Sequence, residues 1–216
     1  MPRETKSDKL ARAKKIFVEL EKLYPDAHCA LDYTTPFELL AATILSAQCT
    51  DARVNIVMKT FRPTFPTPNS LAKAELEDIE EVIRSTGFFH QKAKSIKSMA
   101  TDIVEKFGGR VPHTMDELTT LRGVGRKTAN VVLGNAFGLA EGIAVDTHVT
   151  RLANRLKITS HQDPEKIEKD LMNLLPQKEW TMATHFLISH GRAICDARKP
   201  NCSLCKIADL CPSRAD

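Results

Sequence analysis

Four cysteines near the C-terminus, in "CDARKPNCSLCKIADLC", have spacing that could do chemistry. Cys195, Cys202, Cys205 and Cys211 are separated by six, two and five residues. Thiolates this close in sequence can hold a tetrahedral zinc or a four-iron cluster. Zinc sites usually pair two short-spaced knuckles, and only one Cys-x-x-Cys is present, so a [4Fe–4S] cluster in one compact loop fits better. The first loop carries Arg198 and Lys199, and holding that basic loop rigid would be role enough for the metal. Cys29 and Cys49 sit in apolar surroundings and are expected in the core.

A second candidate is Lys127 in "LRGVGRKTANVVLG". A Walker loop needs Gly-Lys-Ser/Thr, but Arg126 separates Gly125 from Lys127. A dinucleotide fingerprint needs a glycine where Thr128 stands, with strands on both sides. Both nucleotide cradles therefore fail. What remains is helix, Gly-Val-Gly turn, helix, packed through Leu118, Leu121, Val131 and Val132. Gly123 and Gly125 would let the backbone approach a ligand, with free N–H groups at the next helix start facing a phosphate. Such a grip carries no sequence information, and a plain αα-hairpin is an equal reading at this point. Lys127 is then either a phosphate contact or a nucleophilic amine. A lysine nucleophile must shed its proton, and moving a lysine from about 10.4 to neutrality costs roughly 4–5 kcal/mol. Burial, Arg126 and the helix start favour that loss, while a nearby carboxylate would oppose it.

The third is Asp146 in "VDTHVTRLANR", between an apolar stretch and a helix. As an N-cap it would accept backbone N–H bonds. The same bonds would hold a catalytic carboxylate ionised, so the two roles are compatible.

The elements that must position these residues are nearly all helical. Apolar residues recur at helical spacing from Ile16 to Leu23, and Thr35 followed by Pro36 predicts a helix start. Polar residues from Ser46 to Asp51 predict a break. Gly87, Gly108 and Gly109 predict helix ends, and Thr114 with Glu117 has capping-box spacing. "RKTANVVLGNAFG" reads as one helix, and only "GIAV" before Asp146 could pass for a short strand. The fold class is all-α. A chain of 216 residues with 42% hydrophobic content is globular, and its net charge of +4 decides little. Local charge says more: acidic residues crowd 75–81, while Lys92, Lys94 and Lys97 follow and Arg192 to Lys206 gather late. Such stretches suit a polyanion on one face or ordinary solvated helices. The polar N-terminal stretch resembles no signal peptide, and no apolar run spans a bilayer, so a soluble cytoplasmic protein with no membrane partner is expected. Reduced cysteines follow from that compartment.

"LRGVGRKTANVVL", "AVDTHVTRLANR" and the cysteine spacing occur in this order, and together they closely resemble the endonuclease III family of bifunctional DNA glycosylases in the helix-hairpin-helix superfamily. The resemblance runs from about residue 10 to the end. It implies two lobes with double-stranded DNA between them, acting as a monomer. One is a six-helix barrel over residues 29–139, and the other is a discontinuous lobe of 1–28 and 140–216 with the cluster. It implies that Lys127 attacks C1′ of an oxidised or ring-saturated pyrimidine nucleotide, assisted by Asp146, and then cuts the abasic site by β-elimination. "LSAQCTD" matches the segment whose Gln enters the duplex, making Gln48 the candidate plug. Ser46, Asp51 and His148 are assigned to the lesion pocket on the same ground. In "GFFHQKA" the family usually has an apolar wedge followed by Tyr and Asn, whereas Phe88, Phe89 and His90 stand here. A larger, stackable wedge would alter opposite-base preference or flipping rate. The DNA-binding set is completed by Gly123, Gly125, Arg126, Arg198 and Lys199.

Two other readings compete. A monofunctional relative, such as the adenine glycosylase acting on mismatches, shares the fold and cluster but lacks lysine at the turn and carries a further C-terminal domain. A non-enzymatic helix-hairpin-helix module with a structural metal explains the glycines and basic loop but requires neither Lys127 nor Asp146.

Overall fold

Thr35 shows how these helices begin: its hydroxyl accepts the Glu38 N–H at 3.2 Å and Pro36 takes the first helical position. In a computed structural model that describes residues 4–214, such starts head α2 (Pro36–Leu45), α3 (Asp51–Thr64, capped by Thr50) and α4 (Pro68–Lys73, capped by Thr67). Each hydroxyl satisfies one N–H that the helix itself cannot.

The chain divides into two units. Cys29–Leu139 contains α2 to α4, then α5 (Leu76–Ile83), α6 (Phe89–Phe107), α7 (Met115–Thr120) and α8 (Arg126–Val132). Its core gathers Leu39, Leu40, Leu45, Met58, Phe61, Ile96 and Met99, all without solvent exposure. Every side chain of α2 from Leu39 to Leu45 is buried, as suits a helix enclosed by its neighbours. Cys29 and Cys49 pack half-buried against this core.

The other unit joins Met1–His28 to Ala140–Asp216, with residues 1–3 and 215–216 outside the described residues. It holds α1 (Lys6–Leu23), α9 (Thr147–Arg155), α10 (Pro164–Met172) and α11 (Trp180–Ala193) around Ile16, Leu20, Leu152, Ile167, Leu171 and Leu187. Buried among these helices, the His185 imidazole is pulled from 6.5 down to about 4, chiefly by desolvation and further by His28. The unfolded chain then takes a proton below pH 6.5 that the folded chain refuses. Stability should fall as pH drops from about 6.5 to about 4 by roughly 3 kcal/mol and then level off at this group. Chemical denaturation across that range, comparing wild type with His185→Phe, checks it: the variant should lack this share of the slope.

Two local expectations need correction. Among the described residues no strand forms; "GIAV" is a buried irregular segment. With no partner strand its backbone turns to side chains: Glu168 accepts the Ile143 N–H at 3.2 Å and Thr184 donates to the Ala144 carbonyl at 3.1 Å. Nor is "RKTANVVLGNAFG" a uniform α-helix. After Val132 it widens to a π turn, Leu133–Phe137, ended by Gly138 at φ 69°. Tyr33 donates to the Asn135 carbonyl there at 2.8 Å. No helix of the described residues is long and apolar enough to cross a membrane.

Candidate DNA-processing site

The hairpin of α7 and α8 turns on Gly123, at φ +84°. A β-carbon there would sit 3.2 Å from that of Ser95 and 3.6 Å from Ile44 Cγ2, so the conformation favours glycine and the space around it is tight. Val124 plugs the turn from inside, only 6% exposed. Gly125 differs from expectation: its φ of −95° is open to any residue, and nothing lies within 4 Å of its missing β-carbon. Its contribution is a bare surface at the start of α8, where no side chain caps the helix. Arg126 and Lys127 follow in the first turn, both exposed.

Two further turns of this unit carry non-glycine residues in the left-handed region. Gln48, exposed, has φ 52°, and Phe88 has φ 48° with 68% of its surface open. A left-handed L-residue costs about 1–2 kcal/mol, and persists only where its surroundings impose it. Phe89 does not join Phe88 at the surface. Phe89 packs half-buried with the Arg84 guanidinium 5.7 Å over its ring, and His90 pairs with Glu80 at 2.8 Å. This turn therefore presents the Phe88 ring and, beside it, the His90 imidazole with 71% of its side chain open. Ser46 turns its hydroxyl back to the Thr43 carbonyl at 2.8 Å, and Asp51 opens α3.

The expected basic stretch at residues 92–97 is corrected too. Lys92 is buried, giving its ammonium to the carbonyls of Leu45 and Thr86 at 2.8 Å each, and Lys97 reaches the Ala74 carbonyl at 2.6 Å. Lys94 alone of the three is exposed.

Asp146 lies in the other unit and is the N-cap of α9: Oδ1 accepts the Val149 N–H at 2.8 Å. Two residues on, His148 Nδ1 lies 3.1 Å from an Arg151 guanidinium nitrogen, which also donates to the carbonyls of Gly191 and Cys195. A guanidinium only donates, so Nδ1 is the acceptor of this contact. A β-carbon at Gly191 would lie 2.9 Å from both Arg151 and His148 side-chain nitrogens, so any larger residue there must displace that pair. Arg155, one turn further, donates to Cys195 Sγ at 3.2 Å and to the carbonyls of Asp196 and Ala197 at 2.6 and 2.7 Å. Sequence reasoning missed both arginines. The available signal was two arginines four residues apart on the helix that Asp146 caps.

The four cysteines line one cavity with Leu152, Arg155, His190 and Ile207. Burial, joined by neighbouring thiols, raises the Cys205 and Cys211 thiols above their ordinary value. A thiolate set of this kind needs a cationic partner to be ionised together, and that donor chemistry fits an iron–sulfur cluster. The thiols surround a cavity rather than converging on a point: among the described residues no three His, Cys, Asp or Glu groups are placed for a single ion. Between the first two cysteines, Asp196 Oδ1 accepts the N–H groups of Arg198 and Lys199 at 2.9 and 3.1 Å, which hold its carboxyl below the usual range. This turn exposes both basic side chains. Cys205→Ala should lose the broad visible absorption of the cluster. If Arg198 and Lys199 each contact a phosphate, the slope of log affinity for DNA against log salt should also become shallower by about 2.

Comparison with known proteins follows the same lines. The sequence model of the family described as "HhH-GPD superfamily base excision DNA repair protein" matches residues 41–177, and that of the "Iron-sulfur binding domain of endonuclease III" matches 195–211. An endonuclease III of Synechocystis sp. is 55% identical over 207 residues, covering 96% of this chain and 94% of its own. A solved non-covalent endonuclease III–DNA complex is 43% identical with a TM-score of 0.90, covering 94% of this chain and 95% of its own. A trapped endonuclease III–DNA covalent intermediate has the same identity and TM-score, over 94% of this chain and 96% of its own.

Proposed function

Because this chain belongs to the endonuclease III family of helix-hairpin-helix base excision repair proteins, we propose that Lys127 and Asp146 perform its chemistry. The protein is a DNA N-glycosylase and abasic-site lyase with a [4Fe–4S] cluster, acting on damaged double-stranded DNA. Its substrates in this reading are oxidised or ring-saturated pyrimidines, met as a monomer at the nucleoid of the cytoplasm. Support comes chiefly from the exposed Lys127, one residue beyond a bare helix start, in a chain so similar to one trapped covalently on DNA.

The damaged nucleotide is extruded from the stack, at a cost of a few kcal/mol that is lowest for poorly stacked bases. Gln48 and Phe88, held outward in their left-handed turns, enter the duplex in its place. Backbone N–H groups at the start of α8, with Arg126, Arg198 and Lys199, grip phosphates. DNA covering Lys127 removes the water that the free chain leaves around it. The unprotonated Nζ attacks C1′, and Asp146 takes the proton that the new C–N bond releases. The glycosidic bond breaks, and the base departs with the bonding pair and gains a proton. The sugar ring then opens as O4′ leaves with its bonding pair and takes the proton held by Asp146, and the iminium left between Lys127 and C1′ acidifies the C2′ hydrogen. Loss of that proton expels the 3′ phosphate by β-elimination, and water then frees the lysine. Cys195, Cys202, Cys205 and Cys211 would hold the cluster, which would crosslink the basic loop and, if redox-active, supply a one-electron couple.

Product analysis on a duplex containing one ring-saturated thymine tests the proposal. The expected product is a strand broken 3′ to the lesion and ending in an unsaturated aldehyde. An intact strand with an abasic site would identify a monofunctional glycosylase, and an untouched duplex would leave only a binding module.

A further inference from the structure

Lys92 has a task that neither the lesion chemistry nor the phosphate grip uses. It stands in the first turn of α6 with 5% of its surface exposed. Its ammonium joins two carbonyls that lie far apart in sequence. One belongs to Leu45, the last residue of α2, three positions before Gln48. The other belongs to Thr86, two positions before Phe88. No basic residue of α2 itself occupies its last turn, so Lys92 supplies from another helix the cation that a helix C-terminus favours. Among the described residues only Gln48, Phe88 and Lys157 are non-glycine positions with positive φ. Two of these three strained turns are therefore anchored to the same nitrogen. Burial pushes the Lys92 amine below the usual lysine range, with Cys49 of the Gln48 turn opposing.

We propose that Lys92 is a positioning residue that fixes the spacing of the Gln48 and Phe88 turns, so that plug and wedge enter the duplex as one rigid unit. The inference rests on the reading that these two side chains replace the extruded nucleotide. One anchor has a mechanical consequence: displacement of one turn is transmitted through Lys92 to the other, so the two do not act independently.

The test is a double-mutant cycle read by base extrusion, using 2-aminopurine opposite a ring-saturated thymine in a duplex and stopped-flow fluorescence. In the wild-type holoenzyme, Gln48→Ala and Phe88→Ala should each slow extrusion and be coupled by about fivefold or more. In a Lys92→Met background the coupling should vanish. Cleavage of a single-stranded abasic oligonucleotide, which needs no extrusion, should stay within about twofold of wild type; Lys92→Arg, which keeps donors and charge, should retain the coupling. Coupling that survives Lys92→Met, with both alanine variants still slow, overturns the inference and leaves the plug and wedge in place. If neither alanine variant slows extrusion, the plug-and-wedge reading itself fails. The unaltered protein gives an independent reading should Lys92→Met not fold. Amide exchange at residues 46–49 and 87–89 should follow one common opening event, and two unrelated ones would refute the shared anchor.

Discussion

Lys127→Ala should abolish strand cleavage, lowering it by at least about 10³-fold, while leaving DNA affinity within about tenfold. The two halves of this expectation separate the roles open to a lysine beside a glycine turn. A phosphate contact contributes to binding and to the salt slope, so its loss would weaken affinity and leave the turnover of bound DNA nearly unchanged. A nucleophile contributes in the transition state, so its loss removes turnover and spares binding. The substitution is structurally mild. Lys127 is exposed in the first turn of α8, and alanine is the best helix former, so folding stability should move by no more than about 0.5 kcal/mol. Gel-shift titration and single-turnover cleavage on the same oligonucleotide would measure both. A variant that binds tenfold more weakly but cleaves normally would return Lys127 to the phosphate grip.

Asp146→Asn is the second large effect, because it divides two roles that one carboxylate combines. Asparagine caps helices about as well as aspartate, and its Oδ1 can still accept the Val149 N–H. Stability should therefore change by less than about 1 kcal/mol. Base removal should fall by about 10²–10⁴, the range of a lost proton-transfer group. Asp146→Ala should show the same chemical loss plus a capping loss of about 1 kcal/mol. Thermal melts and single-turnover glycosylase rates on the pair give both numbers. If the asparagine variant retained full activity, Asp146 would be a cap and nothing more.

Much of this arrangement was legible because the relevant forces are local. A hydroxyl before a helical run, as at Thr35 and Thr114, announces a cap whose partner lies three residues away. Cysteine spacing announces a metal loop because its ligands share that loop. Lys92 was not legible in this way, since its acceptors lie 47 and 6 residues away and its burial depends on how α2 and α6 pack. In sequence it looked like part of a solvated basic face. The same holds for Arg151 and Arg155, whose acceptors are main-chain carbonyls of the cysteine loop about 40 residues downstream. Carbonyls carry no residue signature, so cations that bind them look unassigned until the chain is folded. Gly123 and Gly125 make the converse point. They read alike in sequence, yet only Gly123 has positive φ and a crowded β-carbon position, while Gly125 keeps a surface bare. "GIAV" had the composition of a strand but no neighbour to pair with, so Glu168 and Thr184 hold it on the approach to Asp146.

The account stands or falls on a covalent bond between Lys127 and the sugar. Incubating wild-type protein with a duplex bearing one abasic site, in borohydride, reduces any iminium to a stable amine. Proteolysis and mass spectrometry then locate the adduct. The prediction is one adduct, on the peptide containing Lys127, absent from Lys127→Ala. No adduct at all, or one carried by another lysine, would contradict it.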